Sequence, residues 1–238
     1  MYYPADPVDG LIREFSRLKV AKPQANKLVK RKTNYHKKRE LPRPLSIRFN
    51  PSVLNIELWS VMQDCTKAME FVAVEVGTIE FNKILNKLPP SLYVSEIKKV
   101  CNPFLKLSFD LKRSFWCNNV TPLQLFHGTK QKYVDNICLH NFNWRYSGKD
   151  TGHRYGKGVN FTSKPKFALN FCDKNSADKV LILAEVLCKA FGEGKENLLV
   201  PPYGCDTVTA CNGIYVKFCD GEFYPKYVLH VRKYNRKR

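Results

Sequence analysis

Leu125-Phe126-His127-Gly128-Thr129 and, beyond residues 130–154, Tyr155-Gly156-Lys157-Gly158-Val159-Asn160-Phe161 decide how this chain folds. The first stretch is apolar until it presents a histidine and then a residue without a side chain. The second places two glycines around a lysine, directly before an apolar run. A P-loop would end in Gly-Lys-Ser/Thr, which this stretch lacks. A dinucleotide fingerprint needs a strand before its glycines and a helix after them, whereas the residues before Tyr155 are polar and loop-like. By itself Gly-x-Gly marks a tight turn; the residues around it decide whether it means more.

Working outward, 238 residues with 44% hydrophobic content suffice for one sizeable core, so one globular domain with a tail is expected. No apolar run approaches the roughly 20 residues of a membrane span, and the longest, Val180 to Leu187, is broken by Glu185. The first residues, Met1-Tyr2-Tyr3-Pro4-Ala5-Asp6, lack the basic and apolar regions of a secretory signal, which predicts an intracellular protein with no membrane association. The 9 cysteines form no C-x-x-C pair and no Cys/His group with zinc-ligand spacing, so free thiols and no metal are expected. Cys138 and Cys188 lie in apolar segments and read as core residues. A catalytic cysteine is disfavoured, because nothing near any of them would depress a thiol pKa.

The net charge of +19 is uneven. Residues 1–48 hold 13 Lys/Arg against 4 Asp/Glu, and 13 − 4 leaves +9 in that fifth of the chain. With few large apolar residues and no period, residues 1–48 are expected to be a disordered tail. Its clusters Lys27-Leu28-Val29-Lys30-Arg31-Lys32 and His36-Lys37-Lys38-Arg39 fit a nuclear-import signal, a nucleic-acid contact or a solvated linker. The nuclear reading leaves room for a cytoplasmic pool as well. A second basic patch runs from Arg232 to Arg238, and either patch would attract phosphate without sequence preference.

Pro42, Pro44 and Pro51 mark a boundary, after which dense apolar patterning defines a domain over 52–235. Phe71 to Val76 reads as a strand and Ile79 to Leu88 as a helix with Ile79, Ile84 and Leu88 inward, stopped by Pro89-Pro90. Tyr93 to Val100 reads as a strand. Asn102 then caps a helix opened by Pro103, whose expected inner face is Phe104, Leu107, Leu111 and Phe115. Val134, Ile137 and Cys138 make one face of a further helix. Strands follow at Val180–Leu187, Ile214–Phe218 and Tyr227–Val231. The order has no regular βαβ repeat, so the predicted class is α+β.

From about Leu58 to Tyr234 the chain resembles the catalytic domain of poly(ADP-ribose) polymerase-like ADP-ribosyltransferases, most of all the TCDD-inducible member and its WWE-domain relatives. Besides the two opening stretches, the matches are Ile97 to Leu105, Val134 to Cys138, Asn141-Phe142-Asn143-Trp144-Arg145, Tyr203 to Val208, and Tyr224-Pro225-Lys226-Tyr227. The resemblance implies a split antiparallel β-sandwich with flanking helices and an NAD cleft between the sheets. It implies NAD as substrate and protein side chains, including the chain's own, as acceptors. Within these residues no helical regulatory domain or zinc finger is expected.

Cleaving NAD separates nicotinamide from ribose through an oxocarbenium-like transition state, so the site must hold the amide, orient the ribose and exclude water. Gly128 matches the residue whose backbone pairs with the carboxamide, a close approach that favours glycine. His127 matches the histidine that bonds the adenosine-side ribose, with Thr129 beside it. By the same resemblance Arg145 lies by the adenosine, and Tyr155 and Phe171 flank the nicotinamide. Ile214 stands where polymerizing members carry a glutamate; it can be neither acceptor nor base, so transfer should stop at one unit. Asn160 replaces a tyrosine of the nicotinamide pocket, with loss of stacking worth roughly 0.5–1.5 kcal/mol. Ala168 replaces a serine that bonds the carboxamide, a loss of about 1 kcal/mol. Roughly 2 kcal/mol would weaken NAD about 30-fold. The alternative to a mono-ADP-ribosyltransferase is therefore an inactive domain of the same fold, serving as a binding or scaffold module with nucleic-acid contacts through the tail.

Overall fold

The computed structural model describes residues 68–116, 120–146 and 154–233, all within the unit Arg48–Arg238. The expected tail over 1–48, the basic clusters at 27–39 and the first residues of the predicted domain lie outside them. The elements run β1 (Glu70–Ala73), α1 (Ile79–Leu85), β2 (Leu92–Cys101), α2 (Pro103–Phe115), β3 (Leu123–Thr129), α3 (Val134–His140), β4 (Val159–Thr162) and α4 (Pro165–Ala168). They continue as β5 (Lys179–Val186), β6 (Phe191–Glu193), β7 (Thr207–Ala210), β8 (Ile214–Lys217) and β9 (Phe223–Lys233). No helix among the described residues is long and apolar enough to cross a membrane.

The strand order is β1-β2-β9-β5-β3-β4-β8-β7-β6, and it breaks in the middle. β3 pairs with β5 along its whole length, from Leu123 opposite Val186 to Thr129 opposite Val180. Against β4 it pairs only at Phe126, opposite Thr162. The strands on either side of that point form the two parts of the split sheet, which is the mixed α+β arrangement expected. The pairings are antiparallel except β6 with β7, which is parallel. The sheet is thus antiparallel, as expected, apart from that one edge pair. A parallel pair needs a connection of about a dozen residues to bring the chain back, and the loop 194–206 supplies it.

Alternation along β5 builds both faces of the core, because successive side chains on a strand point to opposite sides. Leu181 and Leu183 meet Phe81 and Ile84 of α1 and Ala168 of α4. Val180 packs with Val134 and Cys138 of α3, while Ile182 and Ala184 join Phe142, Phe161 and Phe223. Burial pushes the Cys138 thiol up to about 12 and the Cys188 thiol up to about 11. Both behave as the core residues expected rather than as nucleophiles.

Two helices differ from expectation in the face they bury. In α1, capped by the Thr78 hydroxyl at 3.2 Å from the Phe81 N–H, Phe81 and Ile84 are buried but Ile79 is exposed. Ile79 lies five residues from Ile84, about 140° around the helix, so it cannot share that face. The helix stops at Leu85, although Leu88 is buried as expected. In α2 the cap is as expected: Asn102 Oδ1 accepts from the Leu105 N–H at 3.1 Å, with Pro103 in the first turn. The buried face is instead Leu105, Phe109 and Trp116, against Val120, Leu187 and Tyr224. Phe104, Leu111 and Phe115 are exposed. Both stripes have helical spacing; contacts distant in sequence choose between them. The Asn102 amide donates to the carbonyls of Cys138 and Leu139, both at 3.0 Å, and Lys112 pairs with Glu222 at 3.3 Å.

A buried ion cluster ties the two parts of the sheet. Lys217 of β8 is fully buried and its ammonium donates to Asp206 at 2.9 Å and Thr207 at 2.9 Å, with Glu222 at 2.8 Å. Asp206 also accepts from the backbone N–H groups of Lys189 and Ala190. Glu222 sits in the turn before β9 and also receives Lys112 of α2. One side chain on β8 therefore holds together a loop of its own part, the start of β9 and helix α2.

Candidate active site

Where β3 and β4 part, His127 of β3 meets the backbone of Asn160 on β4. Nδ1 of His127 lies 2.9 Å from the backbone carbonyl of Asn160. A carbonyl can only accept, so Nδ1 carries the proton and the neutral ring keeps its lone pair on Nε2. Phe142 meets the imidazole at 5.0 Å between centroids and Phe161 at 5.9 Å. Phe142 and Phe161 also stack edge-on at 5.0 Å, so an aromatic wedge fixes the ring plane. Burial pushes the His127 pKa below its ordinary value, while the Asn160 carbonyl pulls the other way. The neutral ring is thus the form present at neutral pH, with Nε2 able to accept from a hydroxyl.

Gly128 follows on β3 and lies against the backbone of Ala168. A Cβ there would fall on the Ala168 carbonyl oxygen, so glycine is required by packing of α4 on β3 as well as by any close ligand. Thr129, next in the strand, is buried. Ala168 is itself 1% exposed, its methyl sitting in the core beside Phe126 and Leu181.

The second group lies on the other side of Ala168. Phe167, its neighbour on α4, packs with the cluster of Val208, Ile214 and Val216, to which Tyr155 also belongs. Phe167 meets Phe171 at 5.5 Å, edge to face. The Tyr155 hydroxyl is 3.1 Å from the sulfur of Cys211, in the turn that leads into Ile214. Ile214 begins β8 opposite Thr162 of β4 and is buried among these apolar groups. The Asn160 amide lies 3.4 Å from the Gly158 carbonyl. Gly158 itself abuts the Lys217 carbonyl so closely that no Cβ would fit.

Gly128, Tyr155, Phe171 and Ile214 thus lie against α4, while His127, next to Gly128 on β3, is bonded to the Asn160 carbonyl of β4. Arg145 stands at another corner: it stacks on Trp144 at 4.7 Å and reaches Asp220 at 3.7 Å, just before β9. Phe142, Phe161, Phe167 and Cys211 complete the surroundings and were not singled out as site residues from the sequence. Phe142 and Phe161 belong to the matching stretches, but nothing in a linear pattern says that two phenylalanines distant in sequence clamp one histidine. Among the described residues, no group of three or more His, Cys, Asp and Glu could hold a metal.

A split α+β domain with a histidine and a glycine at the break of its sheet is the class of protein so defined. Residues 80–206 match the poly(ADP-ribose) polymerase catalytic domain, more than half of the chain, and the chain belongs to that family. The match ends before β8, so Ile214 lies beyond it. Among curated proteins the chain is similar to protein mono-ADP-ribosyltransferase PARP12 of Homo sapiens, 28% identical over 176 residues, 66% of this chain and 25% of that protein. It is also similar to protein mono-ADP-ribosyltransferase PARP11 of Mus musculus, 23% identical over 198 residues, covering 67% of this chain and 60% of the relative. Protein mono-ADP-ribosyltransferase PARP10 of Mus musculus is 28% identical over 131 residues. The chain therefore spans about a quarter of PARP12 and somewhat over half of PARP11.

Proposed function

We propose that this protein is an NAD-dependent mono-ADP-ribosyltransferase acting on protein side chains, its own included. Family membership supports NAD as the substrate, and the relatives are named mono-ADP-ribosyltransferases. The observation that carries the reading is the hydrogen bond from His127 Nδ1 to the Asn160 carbonyl, which leaves Nε2 free to accept from a ribose hydroxyl. His127 bonds the adenosine-side ribose, and the Gly128 backbone receives the carboxamide. Tyr155 and Phe171 flank the nicotinamide ring, and Thr129 and Arg145 serve the adenosine side. The bond from the ribose C1 to the nicotinamide nitrogen breaks, and nicotinamide leaves with the electron pair. An acceptor carboxylate then supplies the pair for the new C–O bond. With Ile214 in an apolar cluster, no residue at that position activates a ribose hydroxyl for a second transfer.

Asn160 and Ala168 favour a second reading, an inactive domain that binds a partner. Neither offers what the family's tyrosine and serine would, and the Ala168 methyl is buried in the core. Labelled NAD distinguishes the two. The first reading expects label on the wild-type chain as single units, lost by His127→Ala and raised by Asn160→Tyr. It also expects an acid limb with a midpoint below about pH 6.5, the ordinary histidine value, because a protonated His127 loses its acceptor. No label and no calorimetric NAD binding would leave only the second reading. Polymer ladders would refute single-unit transfer.

The basic clusters at 27–39 support a nuclear protein with weak, salt-sensitive nucleic-acid contacts, with a cytoplasmic pool as the alternative. Deleting residues 1–48 should move a fluorescent fusion out of the nucleus; unchanged nuclear signal would refute this.

A further inference from the structure

Strand β6 ends the sheet, and among the described residues no other strand pairs with its outer side. On its inner side the Thr207 N–H donates to the Ala190 carbonyl at 3.1 Å, and the Gly194 N–H to the Thr209 carbonyl at 3.0 Å. Backbone groups alternate in direction along a strand as side chains do, so Ala190, Gly192 and Gly194 face β7. Phe191 and Glu193 therefore each turn an N–H and a C=O away from the sheet. Both residues are exposed, Phe191 by 52%. Between them a Cβ on Gly192 would come within 3.1 Å of Pro202 and 3.2 Å of Cys205. The loop 194–206 thus covers one face of β6 and leaves its edge open.

Outward N–H and C=O groups on alternate residues of a strand are complementary to the backbone of another extended chain. The place of this edge says which chain. Gly194 directly follows β6, and a Cβ there would lie 3.0 Å from the Tyr155 Cβ. Tyr155 is assigned above to the nicotinamide pocket, so a chain paired on β6 continues towards the point where an acceptor must arrive. Arg154 beside it is exposed, and the whole chain carries +19, which favours an acidic segment over a basic one. A strand from a second copy is disfavoured, because an edge of 3 residues is too short to promote sheet-to-sheet pairing.

We infer that β6 is the docking edge for an extended, acidic segment of the acceptor protein. The segment's backbone pairs with Phe191 and Glu193, and an apolar side chain of the segment lies beside Phe191. The inference rests on the transferase reading for the fate of the segment, while docking itself needs no NAD. The probe is a short peptide of alternating glutamate and valine, and its control is the same peptide N-methylated at every residue. Added at millimolar concentration to the isotopically labelled full-length chain, the plain peptide should shift the backbone amide signals of Phe191 and Glu193. The methylated peptide has lost its donors and should leave them in place. Glu193→Pro deletes one outward N–H and spares the ladder to β7, since proline is tolerated on an edge strand. It should weaken binding of the plain peptide about fivefold, the size of one hydrogen bond. Glu193→Gln, which removes only an exposed charge paired with Lys195, should change it by less than about twofold. With labelled NAD the plain peptide should take up label faster than the methylated one. Unshifted Phe191 and Glu193 signals, or equal shifts by the methylated peptide, would overturn the inference. Shifts on raising the protein concentration alone would overturn it too, assigning the edge to a second copy. A chain that labels itself but never the docked peptide would overturn the acceptor assignment. A peptide that docks on a chain unable to bind NAD would refute the transferase reading instead, leaving β6 as the edge of a binding module.

Discussion

Gly128→Ala should unfold the site rather than merely weaken it. The added methyl would fall on the backbone carbonyl of Ala168, and a backbone atom cannot rotate away as a flexible side chain would. Either α4 must lift from β3 or β3 must slide, and β3 is held along its whole length by β5. Overpacking of this kind costs about 3 kcal/mol, the upper end of its usual range. For a chain of this size that lowers Tm by roughly 6–12 °C. Labelling by NAD should vanish with it, since α4 joins the two groups of the site through Phe167 and Ala168. Gly221→Ala is the control, because its Cβ would meet only ordinary contacts, the nearest at 3.6 Å from Lys112. A Gly128→Ala chain that melts within about 2 °C of wild type, less than overpacking allows, would show that α4 does not sit on β3 as described.

Lys217→Ala should be the most damaging single change in the ion cluster. It strands Asp206 and Glu222 together without the buried cation that both touch. Breaking a buried pair in this way costs about 3–5 kcal/mol. By contrast, Lys195→Ala removes an exposed pair with Glu193 and should change stability by less than about 0.5 kcal/mol. The acid dependence of the loss follows from Asp206. Burial raises its pKa, but the Thr207 hydroxyl, Lys217 and the Ala190 N–H outweigh burial, and the net shift is downward. A carboxylate with a depressed folded pKa contributes stability above its unfolded value, near pH 3.9, and loses it as pH falls through the folded value. The Tm gap between wild type and Lys217→Ala should therefore be widest near neutral pH and narrow in acid. A gap independent of pH would exclude Asp206 as the partner that matters.

Much of the frame was legible in the chain itself. The Asn102-Pro103 start of α2 rests on local chemistry, a side-chain acceptor followed by a residue that needs no N–H partner, and local chemistry survives folding. The central strands were legible because runs such as Val180 to Leu187 suit only a buried strand of that length. The inner face of α2 was not. Phe104, Leu107, Leu111 and Phe115 form as regular a stripe as Leu105, Phe109 and Trp116, and periodicity cannot say which stripe meets the core. Tyr224 and Glu222, more than a hundred residues away, choose the second. The parallel β6–β7 pair was hidden for a related reason, since strand direction depends on where the loop 194–206 returns.

The site divides along the same line. By itself the sequence determined that His127 precedes Gly128, that Asn160 follows a glycine turn, and that Ile214 brings no charge; these rest on residue identity and order alone. Only the tertiary structure decided which nitrogen of His127 carries the proton, because the Asn160 carbonyl that takes it sits on another strand. It likewise decided that Lys217 is the buried tie between the two parts of the sheet. Partners distant in sequence set the tautomer, the burial and the choice of helix face, and no local pattern encodes them.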